Sequence, residues 1–214
     1  TFVGFALAIS NPAAAKNLHR VDPPPGKSEV AKLAPGETVN PNFGMYRTGR
    51  MLSPAEFDDM VCGPVGKPEQ AISEIWVLSD KHGNDEKEYN DPNSAVWQKP
   101  ENKGYVRRCD KKIAVQNFNQ SVRDSPVSKE FLAKFDEYVK QARKDGKKIA
   151  FRCDCGCHRT GRLAAYYQMK FMGMTPKETK KDMYKYAHGA PDAVGKAAYW
   201  LMVSHKLKKQ TEAM

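Results

Sequence analysis

Lys148-Ile149-Ala150-Phe151-Arg152-Cys153-Asp154-Cys155-Gly156-Cys157-His158-Arg159-Thr160-Gly161 decides the fold. Its opening, apolar at Ile149, Ala150 and Phe151, reads as a short buried strand. Past the loop, Leu163, Ala164, Tyr167, Phe171 and Met172 recur at core-facing helical intervals until Gly173 stops the helix. A tight loop that joins a strand to a helix N-terminus points successive backbone N–H groups inward, which makes an anion site.

The residues of this loop suit phosphate chemistry. A cysteine at its base lies in a positive field, where thiols fall from about 8.5 to between roughly 3.5 and 7.5 in pKa, so the thiolate of Cys153 is expected at neutral pH. Arg159 stands where the loop has curled back, and its planar fork can hold two phosphate oxygens. Gly156 permits the sharp turn, Thr160 can hydrogen-bond the sulfur, and Gly161 lets the helix start close to the strand. Asp154, Cys155, Gly156, Cys157, His158 and Thr160 thus form the expected phosphate cradle, with Asp154 and His158 also available for proton transfer.

Outward from the loop, strands and helices alternate, which argues for an α/β domain. Glu74 to Leu78 reads as a buried strand and Lys112 to Phe118 as an alternating one. A short helix opens at Ser53-Pro54-Ala55-Glu56, with serine as its cap and proline at its first position. Phe131, Leu132, Phe135, Tyr138 and Val139 give a second helix over 128–144, ended by Asp145-Gly146, and two more are expected at about 176–187 and 193–207. The polar stretch 79–104, broken by glycine, asparagine and proline, reads as an irregular insertion or hairpin, and the proline-rich stretch 17–42 as an arm without regular structure.

Cys-x5-Arg followed by Thr-Gly, between an apolar strand and a helix, resembles the protein-tyrosine-phosphatase superfamily. Tyr46-Arg47-Thr48-Gly49-Arg50 ahead of Ser53-Pro54-Ala55-Glu56 is similar to the opening of its compact dual-specificity and atypical members. The resemblance covers about Phe43 to Leu207. It implies a central, mostly parallel sheet flanked by helices, with 1–42 as an N-terminal arm and 43–214 as one cysteine-phosphatase domain. The basic character and the lack of a tryptophan-containing acid loop are similar to bacterial tyrosine-phosphatase-like phytases, and His158-Arg159-Thr160-Gly161 is similar to the loop of small enzymes acting on inositol pyrophosphates. Family members supply a proton donor from a mobile loop ahead of the cysteine. Asp124, in Arg123-Asp124-Ser125-Pro126, fits that place, while the competing reading has it cap the helix that follows. The implied reaction passes through a cysteinyl-phosphate intermediate and calls for no metal or cofactor. Arg152 departs from the family, which usually has histidine just before the nucleophile. Inositol polyphosphates are the expected substrates, with Arg47, Arg50, Lys111, Arg123, Arg152 and Arg162 as candidate contacts, and phosphoproteins are the alternative.

Charge and cysteine usage fit this picture. Lysine and arginine total 35 against 25 acidic residues, a net charge of +10 that favours polyanionic partners. A basic nucleic-acid-binding protein is the non-enzymatic rival, but Tyr166, Tyr167, Tyr184 and Tyr186 lie on expected helices and are more simply core residues. Cys153, Cys155, Cys157 and His158 are potential zinc ligands, yet no matched second pair exists and Arg159-Thr160-Gly161 has no place in a zinc site. Five cysteines, three of them within five positions, are a poor layout for a disulfide framework. Thr1 to Ile9, followed by Pro12 and Ala13-Ala14-Ala15, is similar to the end of a secretory signal and leads to the expectation of a periplasmic or secreted protein; the competing reading is an apolar N-terminal strand or helix of a cytoplasmic protein. No segment is long enough to span a bilayer.

Overall fold

A computed structural model describes residues 18–21, 36–51, 53–79, 85–118, 128–154, 156 and 159–179. Their strands are β1 (His19–Arg20), β2 (Gly44–Thr48), β3 (Glu74–Val77), β4 (Ala114–Asn117) and β5 (Lys148–Arg152). Their helices are α1 (Pro54–Val61), α2 (Asp85–Asn90), α3 (Ala95–Gln98), α4 (Lys129–Asp145) and α5 (Arg159–Phe171). The sheet order is β1-β2-β5-β3-β4, with β1 antiparallel to β2 and every other pairing parallel. The alternation of strand and helix led to the expectation of an α/β domain, and the family resemblance to that of a mostly parallel sheet flanked by helices; the described residues have both.

Parallel strands are covered on both faces, so alternate residues enter two different cores. Met45, Trp76, Ile149 and Phe151 pack beneath α4 and α5 with Phe135, Val139, Leu163 and Tyr166. Tyr46, Ile75 and Ala150 point the other way, onto Phe57 and Met60 of α1, Tyr89 of α2 and Val96 of α3. Trp76 is the largest side chain of the first core, edge-on to Phe118, Phe135 and Tyr138 at 5.1–5.3 Å between centroids. Its indole N–H donates to Glu74 Oε1 at 2.8 Å, so the polar end of the ring is satisfied. Truncating such a residue to alanine costs about 3–5 kcal/mol.

Caps define the helices as the sequence suggests. Ser53 accepts from the Glu56 amide at 3.3 Å, and Ser128 accepts from the Phe131 amide at 3.1 Å. Gly146 closes α4 at φ +69°, a left-handed conformation that is costly for any other residue.

Four elements depart from the expectations. β2 was not read as a strand, because buried Arg47 in its centre breaks the apolar pattern. The arm contributes β1, and Val21 behind it joins the core with its amide bonded to Met45 O at 2.7 Å. The 79–104 insertion carries the short helices α2 and α3 rather than a hairpin. Cys62 and Cys109 form a disulfide across a sequence separation of 47, against the expectation that the cysteines are ill placed for one. Helix is present at 176–179, while the rest of the two C-terminal helices expected from the sequence lies outside the described residues. No helix among the described residues is long and apolar enough to cross a membrane.

Candidate active site

Because β2, β5, β3 and β4 run parallel, their carboxyl ends share one edge of the sheet, where open α/β folds place their ligands. β5, between β2 and β3, delivers Cys153 to that edge, buried at 3% exposure and not disulfide-bonded. Six residues later Arg159 begins α5, half-buried, so the strand and the helix expected from the sequence on either side of this segment are present. Thr160 and Gly161 are buried in the first turn, and the Thr160 hydroxyl has no hydrogen-bond partner among the described residues.

The chain after β2 clamps the loop. Gly156 adopts φ +69°, and a Cβ there would lie 2.8–2.9 Å from the backbone of Thr48 and Gly49. Only glycine meets both conditions. Its carbonyl accepts from Arg47 Nη2 at 2.9 Å, and the Arg50 amide donates to Asp154 O at 2.8 Å. Two loop carbonyls, those of Asp154 and Gly156, are thereby held by the β2 side. Ser79, after β3, donates to Asp154 Oδ1 at 3.1 Å. That carboxylate is engaged with the neighbouring strand's loop, so Asp154 acts as a tie between strand ends more readily than as a proton carrier.

Two of the arginines expected to contact substrate do something else. Arg47 is 2% exposed and spends one fork nitrogen on the loop carbonyl. Arg152 points into the α1–α3 core, where both it and Glu86 of α2 are 0% exposed and form a two-nitrogen, two-oxygen pair through Nε and Nη2. Arg162 is buried on α5 and Arg50 is half-buried beside the loop. Lys111 is exposed, in the stretch leading to β4. Asp124, Arg123, Cys155, Cys157 and His158 lie outside the described residues.

Sequence reasoning missed Glu86 and the disulfide. A lone glutamate in a polar insertion carries no local signal, and only the oddity of Arg152 before the cysteine hinted that a buried anion must exist. Cys62 ends α1 and Cys109 follows α3, and their pairing requires the insertion to fold back over α1.

No protein-family model matches the chain, and no curated protein is similar to it. Among solved structures it is similar to P. aeruginosa TpbA, at 11% identity, 88% coverage of this chain, 98% of that chain and a TM-score of 0.47. It is similar to Tk-PTP in the active form, at 17% identity over 80% of this chain and 92% of that one, with a TM-score of 0.44. A third similarity is to the core catalytic domain of the PP-IP phosphatase SIW14 from S. cerevisiae, at 15% identity, 79% and 86% coverage and a TM-score of 0.42. At such identities the likeness is one of fold alone.

Proposed function

We propose that the chain is a cysteine-dependent phosphatase that hydrolyses phosphate monoesters through a cysteinyl-phosphate intermediate. The observation that carries this reading is the placement of Cys153 between a buried strand and a helix N-terminus, in a loop pinned by Arg47 and the Arg50 amide. Amide dipoles and the helix N-terminus favour both a thiolate and a bound phosphate there. Cys153 Sγ attacks phosphorus while the bond to the departing oxygen breaks and Asp124 gives that oxygen its proton. Water then attacks phosphorus, Asp124 takes a proton back, and the thiolate leaves. Arg159 and the loop amides hold the charge on the non-bridging oxygens, the kind of fixed electrostatics that usually supplies the largest share of rate. The Thr160 hydroxyl, buried without a described partner, suits a donor to the departing sulfur.

Inositol polyphosphates are the substrate class we favour over phosphotyrosine or other phosphoproteins. The net charge of +10 supports a polyanion, and Arg50, half-buried and bonded through its amide to the loop, suits a second phosphate next to the one being cleaved. Pure protein is assayed for phosphate release from inositol hexakisphosphate, its lower phosphates and phosphotyrosine peptides, with Cys153→Ser as the blank. Faster turnover of the inositol phosphates is expected, and turnover of peptides alone rejects the substrate class while keeping the chemistry. The Cys62–Cys109 disulfide supports export to an oxidising compartment, because such bonds persist there and are rare in the cytosol. Recovery of both thiols in reduced form from cells that make the protein would count against export.

A further inference from the structure

We propose that Glu86 and Arg152 are a positioning pair for the catalytic loop, through which α2 of the insertion holds the base of the loop and sets the charge beside Cys153. Side chains alternate along β5: Ile149 and Phe151 enter the α4–α5 core with Cys153, and Ala150 enters the α1–α3 core. Arg152 therefore leaves the strand on the face opposite the nucleophile and there meets Glu86, both fully buried. A buried guanidinium that kept no anion would be strongly destabilising, whereas two apolar residues could fill the same space at little cost. A fully buried, two-pronged pair one residue from the nucleophile thus does more than fill the core.

The position of Glu86 is fixed from outside the loop. Asp58 of α1 accepts from Tyr105 Oη at 3.1 Å, Arg107 Nε at 2.5 Å and the Arg108 amide at 2.7 Å, and Arg108 also bonds Asp59 at 2.6 Å. The disulfide joins the same two segments. Asn90, at the end of α2, exchanges side-chain bonds with both backbone groups of Ile113 at 2.8 and 3.0 Å. The stretch after the insertion is therefore braced against α1, and α2 against Ile113, with Glu86 of α2 reaching the residue before Cys153.

The test reads the thiol as well as turnover. Around the loop the other described charged side chains are Arg47 and Arg50 on the β2 side, Asp154 in the loop and Arg159 and Arg162 on α5, and every variant leaves these unchanged. Alkylation of Cys153 by iodoacetamide, located by fragmentation of its peptide, is followed against pH for the wild type, E86Q, E86D and E88Q. In E86Q the pair loses its negative charge, so the alkylation midpoint is expected about one pH unit lower, with kcat down about 10- to 100-fold and KM little changed. E86D recovers part of both effects, and E88Q, exposed on the same helix, matches the wild type. If E86Q fails to fold, the double variant E86L/R152M carries the test: a wild-type melting temperature with reduced kcat supports positioning. Wild-type kcat in that double variant, or an E86Q midpoint and kcat equal to those of the wild type, overturns it. The turnover arm rests on the phosphatase reading, but the alkylation arm does not, so an inactive wild-type protein would reject that reading and leave the pair still tested.

Discussion

Replacing Cys62 and Cys109 together by serine removes the bond that ties the end of α1 to the stretch between α3 and β4. A crosslink between residues 47 apart in sequence lowers the entropy of the unfolded chain. In the chain-entropy picture that restriction is worth about 4 kcal/mol at room temperature. For a domain of this length, each kcal/mol moves the melting temperature by about 2–4 °C, so the double variant should melt roughly 8–16 °C below the oxidised wild type. The assay is thermal unfolding without reductant, followed by far-ultraviolet circular dichroism. Wild type melted in excess reductant serves as the matching control. It should coincide with the double variant, because among the described residues Cys62–Cys109 is the one crosslink that reductant removes. Melting temperatures for the variant and the oxidised wild type within a degree or two of each other would refute the argument. A non-reducing peptide map lacking a Cys62–Cys109 link would refute it more simply.

Other outcomes follow from the loop and from α4. Gly156→Ala places a Cβ against the Thr48 and Gly49 backbone at φ +69°, so it should lower stability by about 1–3 kcal/mol and phosphatase activity by about 100-fold. Unfolding and turnover measured side by side check this, and unchanged turnover would show that the clamp is dispensable. Burial raises the Asp136 carboxyl above its ordinary range, opposed by the Tyr166 hydroxyl at 2.9 Å and by Lys170 at 3.8 Å. A carboxyl raised in this way favours the fold when protonated. Its contribution is complete below about pH 4 and is lost as pH rises through the raised value. The stability of the wild type relative to Asp136→Asn should therefore decline from acid towards neutral pH, and a difference independent of pH would contradict the assignment.

The sequence made the strand before Cys153 and the helix from Arg159 legible because both are local: a short continuous apolar run on one side, and apolar residues at helical spacing on the other. The α4 helix was legible for the same reason, with Ser128 and Gly146 marking both ends. β2 was hidden by its own function. Arg47 is buried because it bonds a loop carbonyl 109 residues away, and a charge in a short strand erases the pattern that would reveal it. The bonds of Arg47 to a loop carbonyl and of Arg152 to Glu86 were likewise not legible, since a basic residue near a loop has the same sequence signature whether it faces a ligand or braces the backbone. β1 is two residues long in a proline-rich arm and exists only through its pairing with β2. Cys62 with Cys109 and Glu86 with Arg152 are long-range pairings made by tertiary structure, and nothing local marks either.

The most direct measurement is rapid quenching of the protein with a phosphorylated substrate in acid, followed by mass analysis of the peptide that carries Cys153. The wild type should gain one phosphoryl group on Cys153 within a single turnover, and Cys153→Ser should release no phosphate. Phosphate release by the serine variant at the wild-type rate, or a phosphoryl group found elsewhere on the chain, would contradict nucleophilic attack by this thiolate.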